Sequence, residues 1–191
     1  DTKKFSFIKD FQGANDGASG VAALLGMISA LQNYDRELPC GIKFVFFDGE
    51  ECIEQYSHSD GLHGSKRLAE EWAESGLLKR CRAMILLDMV GDKDLTITIP
   101  KGCTKDLTDR MLRIAGENGH GEKFRIYEYD MIDDHVPFLK KGVPAIDLID
   151  FNYGPANAYW HTAEDSLDKI SAQSIKTIAD LAFALYWNIA E

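Results

Sequence analysis

Residues 134–150 read Asp-His-Val-Pro-Phe-Leu-Lys-Lys-Gly-Val-Pro-Ala-Ile-Asp-Leu-Ile-Asp, and their pattern decides the fold class. The first half suits a short helix over Asp134–Lys141 that Gly142 ends, and the second half, Val143–Ile149, is an apolar run of strand length. A strand without polar alternation is covered on both faces, as in parallel sheets. The same succession of helix and strand extends upstream and downstream. Val21, Leu24, Leu25, Ile28 and Leu31 recur at three- and four-residue steps and predict a helix over Gly17–Asn33. Ile42–Phe47 reads as a buried strand, Leu62–Ser75 as a polar-faced surface helix, and Ala83–Leu87 as a second apolar strand. Leu95–Ile99 alternates Leu and Ile with Thr, which predicts a half-exposed strand. Thr104–Asn118 returns to helical spacing, Phe124–Glu128 is a strand, and Ser171–Ile189 closes the chain as a long helix. The expected class is α/β, a three-layer α/β/α sandwich around a mostly parallel central sheet. No repeat, low-complexity tract or Pro/Gly/Ser linker divides residues 1–191, which predicts a single domain.

The composition narrows the function. The 191 residues carry 21 Lys and Arg against 31 Asp and Glu, a formal charge of -10, with 45% hydrophobic residues. That apolar share excludes disorder, and the acidic balance without a basic cluster argues against nucleic acid as a partner. No run of 18 apolar residues spans a membrane, and the oligomeric state is not legible. Cys40, Cys52, Cys81 and Cys103 show no Cys-x-x-Cys spacing and read as free thiols.

Three strand-like segments end in carboxylates: Phe44-Val-Phe-Phe-Asp48-Gly-Glu50-Glu51, Met84-Ile-Leu-Leu-Asp88, and Val143-Pro-Ala-Ile-Asp147-Leu-Ile-Asp150. Parallel strands would gather these acids at one sheet edge, where ligands of open α/β sheets bind. Buried together, such groups need protons, basic partners or a metal ion, and these segments are poor in Arg and Lys. A divalent cation is the economical reading, with a nitrogen ligand available from Tyr159-Trp160-His161-Thr162. Taken alone, Asp48-Gly49 reads equally as a turn and Asp16 as a helix cap. His58 and His63 read as solvent-facing, His135 as a structural hydrogen-bonder, and Glu164, Asp165 and Asp168 as flanking the last helix. No Gly-x-Ser-x-Gly elbow, Walker loop or Gly-x-Gly-x-x-Gly fingerprint is present, which disfavours the serine hydrolase, nucleotidase and dinucleotide-dependent classes.

Seven motifs in order carry a resemblance over essentially the whole chain. They are Gly13-Ala-Asn-Asp16-Gly-Ala-Ser-Gly20, Phe46-Phe-Asp-Gly-Glu50-Glu51, Asp60-Gly-Leu-His-Gly-Ser65, Leu86-Leu-Asp88-Met-Val-Gly91, Ile132-Asp133-Asp134-His135-Val-Pro-Phe138, Gly142-Val-Pro144 and Trp160-His161-Thr162. The set is similar to the zinc aminopeptidases of peptidase family M28 and their relatives, the animal-type glutaminyl cyclases. The resemblance implies a zinc-exopeptidase-like fold and an enzyme acting on the amino terminus of a peptide or protein. It implies Asp16, Glu51 and His161 as zinc ligands and Glu50 as the general acid/base. Asp88 resembles the second-zinc ligand of the aminopeptidases, whereas in the cyclases its counterpart, with that of Asp133, hydrogen-bonds near the base. Trp160 and Tyr56 fall at substrate-pocket positions, Tyr56 standing where animal cyclases have Trp. Asp147 stands where those enzymes have His, as in a bacterial branch.

The cyclase reading, one zinc and conversion of N-terminal Gln to pyroglutamate with ammonia release, ranks first. The alternative is a two-zinc aminopeptidase, and a non-catalytic peptide-binding fragment ranks third. The family carries a His-x-Asp motif of which Asp1 matches only the Asp, so the resemblance implies a chain lacking the N-terminal part of the family's sheet. It also implies export, periplasmic or secreted.

Overall fold

The computed structural model describes residues 11–190, so Asp1 lies outside the described residues. Nine principal elements follow in order: α1 (Ala18–Gln32), α2 (His63–Glu74), β1 (Met84–Asp88), β2 (Ile97–Pro100), α3 (Lys105–Glu117), β3 (Phe124–Tyr127), α4 (Val136–Lys140), β4 (Ala145–Ile149) and α5 (Ala172–Ala190). Gly142 follows α4 at φ +82°, a left-handed turn that glycine adopts without steric cost, and the chain passes from helix to strand there.

β1 and β4 pair in parallel, with Leu86 opposite Asp147 and Asp88 opposite Ile149. β2 and β3 form a second parallel pair. Thr98 joins the two pairs: its hydroxyl donates to the Ile149 carbonyl at 3.1 Å and accepts the Phe151 N–H at 3.1 Å. Ile85 and Leu87 of β1, Ile146 and Leu148 of β4, and Ile97 and Ile99 of β2 pack with Met27 of α1, Met111 of α3 and Ile178 and Leu185 of α5. On the other side Ala69 of α2 and Phe138 of α4 pack with Val143 and Met84. Helices therefore cover both faces of the strands, the three-layer α/β/α arrangement. Successive strand side chains point to opposite faces, so Asp147 and Asp88 share the face turned toward α2 and α4. Asp88 stands at the carboxyl end of β1, and Asp147 at the middle of β4, one alternate position earlier on the same face.

Two expectations are corrected. Residues 42–47 do not form a strand; they run as an irregular segment with Phe46 47% exposed. A cavity of about 980 Å³ is lined by both this segment and β1, with Phe44, Phe46, Leu24, Met84, Leu86 and Tyr186 among the lining residues. β1 pairs only with β4 among the described residues, and an extended run with no neighbouring strand has no ladder to join. The second correction is Leu95–Ile99, expected half-exposed: the strand is Ile97–Pro100 and is buried throughout. Its alternating Thr does not mark a solvent face, because the Thr98 hydroxyl is satisfied internally by the two hydrogen bonds above.

Candidate active site

The site is assembled from three turns. The first, residues 13–17, enters α1 and carries Asp16. Its backbone is clamped from two sides. The Asn15 side-chain oxygen accepts the Gly91 N–H at 2.7 Å, while the Ser19 hydroxyl donates to the Asn15 carbonyl at 2.6 Å and accepts the Val90 N–H at 2.9 Å. From the other side the buried Asp165 carboxylate accepts the N–H groups of Asn15 and Asp16 at 2.7 and 3.1 Å and the Tyr153 hydroxyl at 2.9 Å. Asp165 therefore does not flank the last helix, which begins at Ala172. It positions Asp16 by its backbone, a role invisible in the sequence because a carboxylate in a turn has no periodicity to betray its partner. The N-cap residue of α1 is Gly17, not Asp16.

The second turn, Asp48–Glu51, docks on the amino end of α2. The N–H groups of Leu62, His63 and Gly64 donate to the carbonyls of Glu50, Gly49 and Asp48 at 2.7, 2.9 and 3.0 Å. That anchoring sends the two neighbouring glutamates apart. Glu51 Oε1 lies 2.9 Å from His161 Nε2, whereas Glu50 Oε1 accepts the Tyr56 hydroxyl at 2.7 Å. Asp60 shapes the loop carrying Tyr56 by accepting the N–H groups of Ile53, Glu54 and Gln55 at 2.7, 2.9 and 3.2 Å.

The third turn presents His161, itself at φ +55°, with Trp160 stacked on its ring at a centroid distance of 3.9 Å. His161 Nε2 stands 3.2 Å from Asp16 Oδ2, and the donor atoms of Asp16, Glu51 and His161 all lie within 4.8 Å of one another. One nitrogen and two carboxylate donors converging on one point fit a catalytic zinc site, which takes three protein ligands and keeps a position open. Burial works against a charged imidazole, yet the hydrogen bonds to Asp16 and Glu51 raise the His161 pKa. Burial also opposes ionisation of Glu51, but the bond from His161 holds its carboxyl below the usual range. The pocket thus favours positive charge where a cation would sit.

Glu50 behaves oppositely. Burial pushes its pKa up to about 7, with Glu51, Asp134 and Asp16 adding repulsion against the lowering effect of the Tyr56 bond. Burial likewise raises Asp88, with Asp133 and Asp16 next, and Asp133, with Asp147 and Glu50 next. Asp134 is pushed up to about 6, again mainly by burial. The sequence-predicted carboxyls therefore do meet, but they sort into two groups. Asp88 does not join the Asp16, Glu51 and His161 donors, and a second donor group comprises Asp133, His135 and Asp147. Tyr56 contacts Glu50 directly, and Trp160 packs on His161 with its edge against Phe151. His58 and His63 are exposed, and none of the four cysteines is in a disulfide. No described helix is long and apolar enough to cross a membrane.

A family model for peptidase family M28 matches residues 1–186. A glutaminyl-peptide cyclotransferase of Drosophila melanogaster is 28% identical over 206 residues, covering 95% of this chain and 57% of its own length. Among solved structures, a glutaminyl cyclase from an Acidobacteriales bacterium superposes with a TM-score of 0.83 at 39% identity, covering 93% of this chain and 62% of that one. A Zn-dependent exopeptidase from Parabacteroides distasonis gives a TM-score of 0.75 at 26% identity, covering 92% of this chain and 64% of that one. The chain thus spans little more than half the length of the fly relative.

Proposed function

Because the chain belongs to peptidase family M28, we propose that it is the catalytic part of a zinc-dependent glutaminyl-peptide cyclotransferase, converting an N-terminal Gln to pyroglutamate with release of ammonia. The observation that carries this reading is the division of labour between two adjacent glutamates: Glu51 joins His161 and Asp16, while Glu50 turns to Tyr56 with its pKa raised to about 7. Asp16, Glu51 and His161 would hold one zinc ion, which supplies Lewis-acid polarisation of the substrate's side-chain amide. Glu50 takes a proton from the substrate's α-amine, the amine attacks the γ-carbonyl, and Glu50 returns the proton to the departing ammonia. A base with a pKa near 7 serves both transfers at neutral pH. Tyr56 aims the carboxylate of Glu50, the Asp88 and Asp133 carboxyls hold protons beside it, and Trp160 forms a pocket wall while keeping the His161 ring in place.

The likeness to glutaminyl-peptide cyclotransferases and glutaminyl cyclases supports this reading and ranks the aminopeptidase reading second. The likeness to a zinc-dependent exopeptidase keeps that second reading in view. In it, Glu50 would deprotonate a water for attack on the first peptide bond. Two variants test the site. Glu50→Gln should abolish ammonia release from a Gln-initiated dipeptide amide while zinc content is kept, and undiminished release would remove the mechanism. His161→Ala should lose zinc from this centre together with activity; an active His161→Ala protein would place the centre elsewhere.

A further inference from the structure

A row of aromatic rings leads out of the active site. Trp160, stacked on His161, meets Phe151 at a centroid distance of 5.0 Å. Phe151 meets Tyr127 at 6.1 Å, and Tyr127 meets Tyr129 at 5.6 Å. Each contact beyond His161 is T-shaped, the edge of one ring packing on the face of the next, which fixes the rings relative to one another. The row draws on the third turn, the segment after β4 and the end of β3. It therefore runs along the carboxyl ends of the strands, where ligands of open α/β sheets bind.

Burial falls along the row. Trp160, Phe151 and Tyr127 are half-buried, whereas Tyr129 is 67% exposed. The loop carrying Tyr129 then turns back to the base. Its Met131 packs against the same buried cluster as Phe151 and Trp160, Ile132 is 55% exposed, and the Asp133 carboxyl that follows repels the charge of Glu50. Packing accounts for the inner rings, which cover Met89 and Ile149. It does not account for Tyr129, which extends the row into water. A lone exposed ring needs no explanation, but one that continues a substrate wall forms an apolar surface of the kind that binds a partner.

The reaction sets the occupant. With the N-terminal residue held between the Asp16, Glu51 and His161 donors and Glu50, the rest of the peptide must leave along a wall of the site. An extended peptide turns alternate side chains to one side, about 6.6 Å apart. The ring spacings of the row approach that repeat, so side chains two residues apart meet successive rings.

We propose that Phe151, Tyr127 and Tyr129 form an extended subsite for apolar, above all aromatic, side chains of the residues that follow the N-terminal Gln. The subsite rests on the reading of the centre as one for peptide amino termini, and it makes longer peptides better substrates than a dipeptide.

Kinetics with two pentapeptide amides, Gln-Ala-Phe-Ala-Phe and Gln-Ala-Ala-Ala-Ala, test it. In wild type the Phe peptide should show a KM roughly tenfold lower at similar kcat, because contacts far from the reacting atoms act on ground and transition states alike. Tyr129→Phe should keep this ratio, and Tyr129→Ala should cut it by at least about threefold. A merely structural role for Tyr129 would lower turnover of both peptides together. Equal KM values in wild type overturn the subsite, as does a ratio untouched by both Tyr129→Ala and Tyr127→Ala. If free glutamine appears instead of the cyclised product, the cyclase reading falls, and the same ratio taken on that product still decides the subsite. If neither product forms, calorimetric titration of the zinc-loaded protein decides. Tighter binding of the Phe peptide, lost in Tyr129→Ala, is expected, and equal binding of the two peptides overturns the proposal.

Discussion

Glu50 and Glu51 are consecutive in the chain and chemically alike, yet their surroundings give them different tasks. The turn at Gly49, at φ +59°, and the α2 amide donors split their directions, and burial then lifts Glu50 while His161 draws Glu51 down. Tyr56 moderates the first effect, because its hydrogen bond lowers the Glu50 pKa against burial. Tyr56→Phe should therefore push Glu50 higher and move the acid limb of the kcat/KM profile to higher pH, with up to roughly tenfold loss at pH 6. A profile that does not move would separate Tyr56 from the base. Asp165 acts one step away from the metal donors, through the backbone of Asn15 and Asp16. Asp165→Asn should weaken zinc binding by about 10–100-fold, as loss of ligand-orienting bonds does. Competition with a coloured chelator measures this, and unchanged affinity would reduce Asp165 to a packing residue. At this scale the sequence marked the chemistry-bearing side chains through acids at strand ends and a lone imidazole. It was silent on Asp165 and Tyr56 as partners of those groups: the Asn15–Asp165 contact joins residues 150 positions apart, and the Tyr56–Glu50 contact, six positions apart, depends on the path of an irregular loop that has no periodicity to read.

At the level of elements, periodicity located the helices well, since α1, α3 and α5 each begin and end within a residue or two of the expected limits. Apolar runs located β1 and β4 equally well. Periodicity could not show that Phe44–Phe47 stays irregular, because strand formation depends on a neighbour and not on the run itself. Nor could alternation distinguish a Thr facing water from Thr98, whose hydroxyl bridges β4 and the segment after it. The packing of α1 on β1 offers a direct test. A Cβ at Gly20 would stand 2.2 Å from the Leu87 carbonyl oxygen, so helix and strand approach as closely as backbone permits. Gly20→Ala should destabilise the protein by about 1–3 kcal/mol through overpacking, read as a lower denaturant midpoint. A gain in stability, as expected for Gly→Ala in an open helix, would contradict this close approach.

Across the whole molecule the dominant electrostatic fact is a collection of buried acids with few basic partners. Burial raises Glu50 and Asp150 to about 7 and Asp134 to about 6, and lifts Asp88, Asp133 and Asp147 well above their ordinary range. A carboxyl whose pKa is raised on folding binds its proton more tightly when folded. Its stabilising contribution is complete below about pH 4 and is lost as pH climbs through the folded value. His135, lowered to about 4, works the other way, losing its contribution as pH falls below about 6.5, but it is one group against six. The metal-free protein should therefore melt at a lower temperature at pH 8 than at pH 5. Zinc should restore more stability at pH 8, where the carboxylates are free to bind it. A melting temperature that rises from pH 5 to 8 without metal would contradict this account of the acidic face. The most direct test of the central claim is mass analysis of the products formed from a Gln-initiated dipeptide amide by the zinc-loaded protein. The account predicts an intact peptide lighter by one ammonia, with no free glutamine. Free glutamine without the cyclised product would contradict it and establish the aminopeptidase chemistry instead.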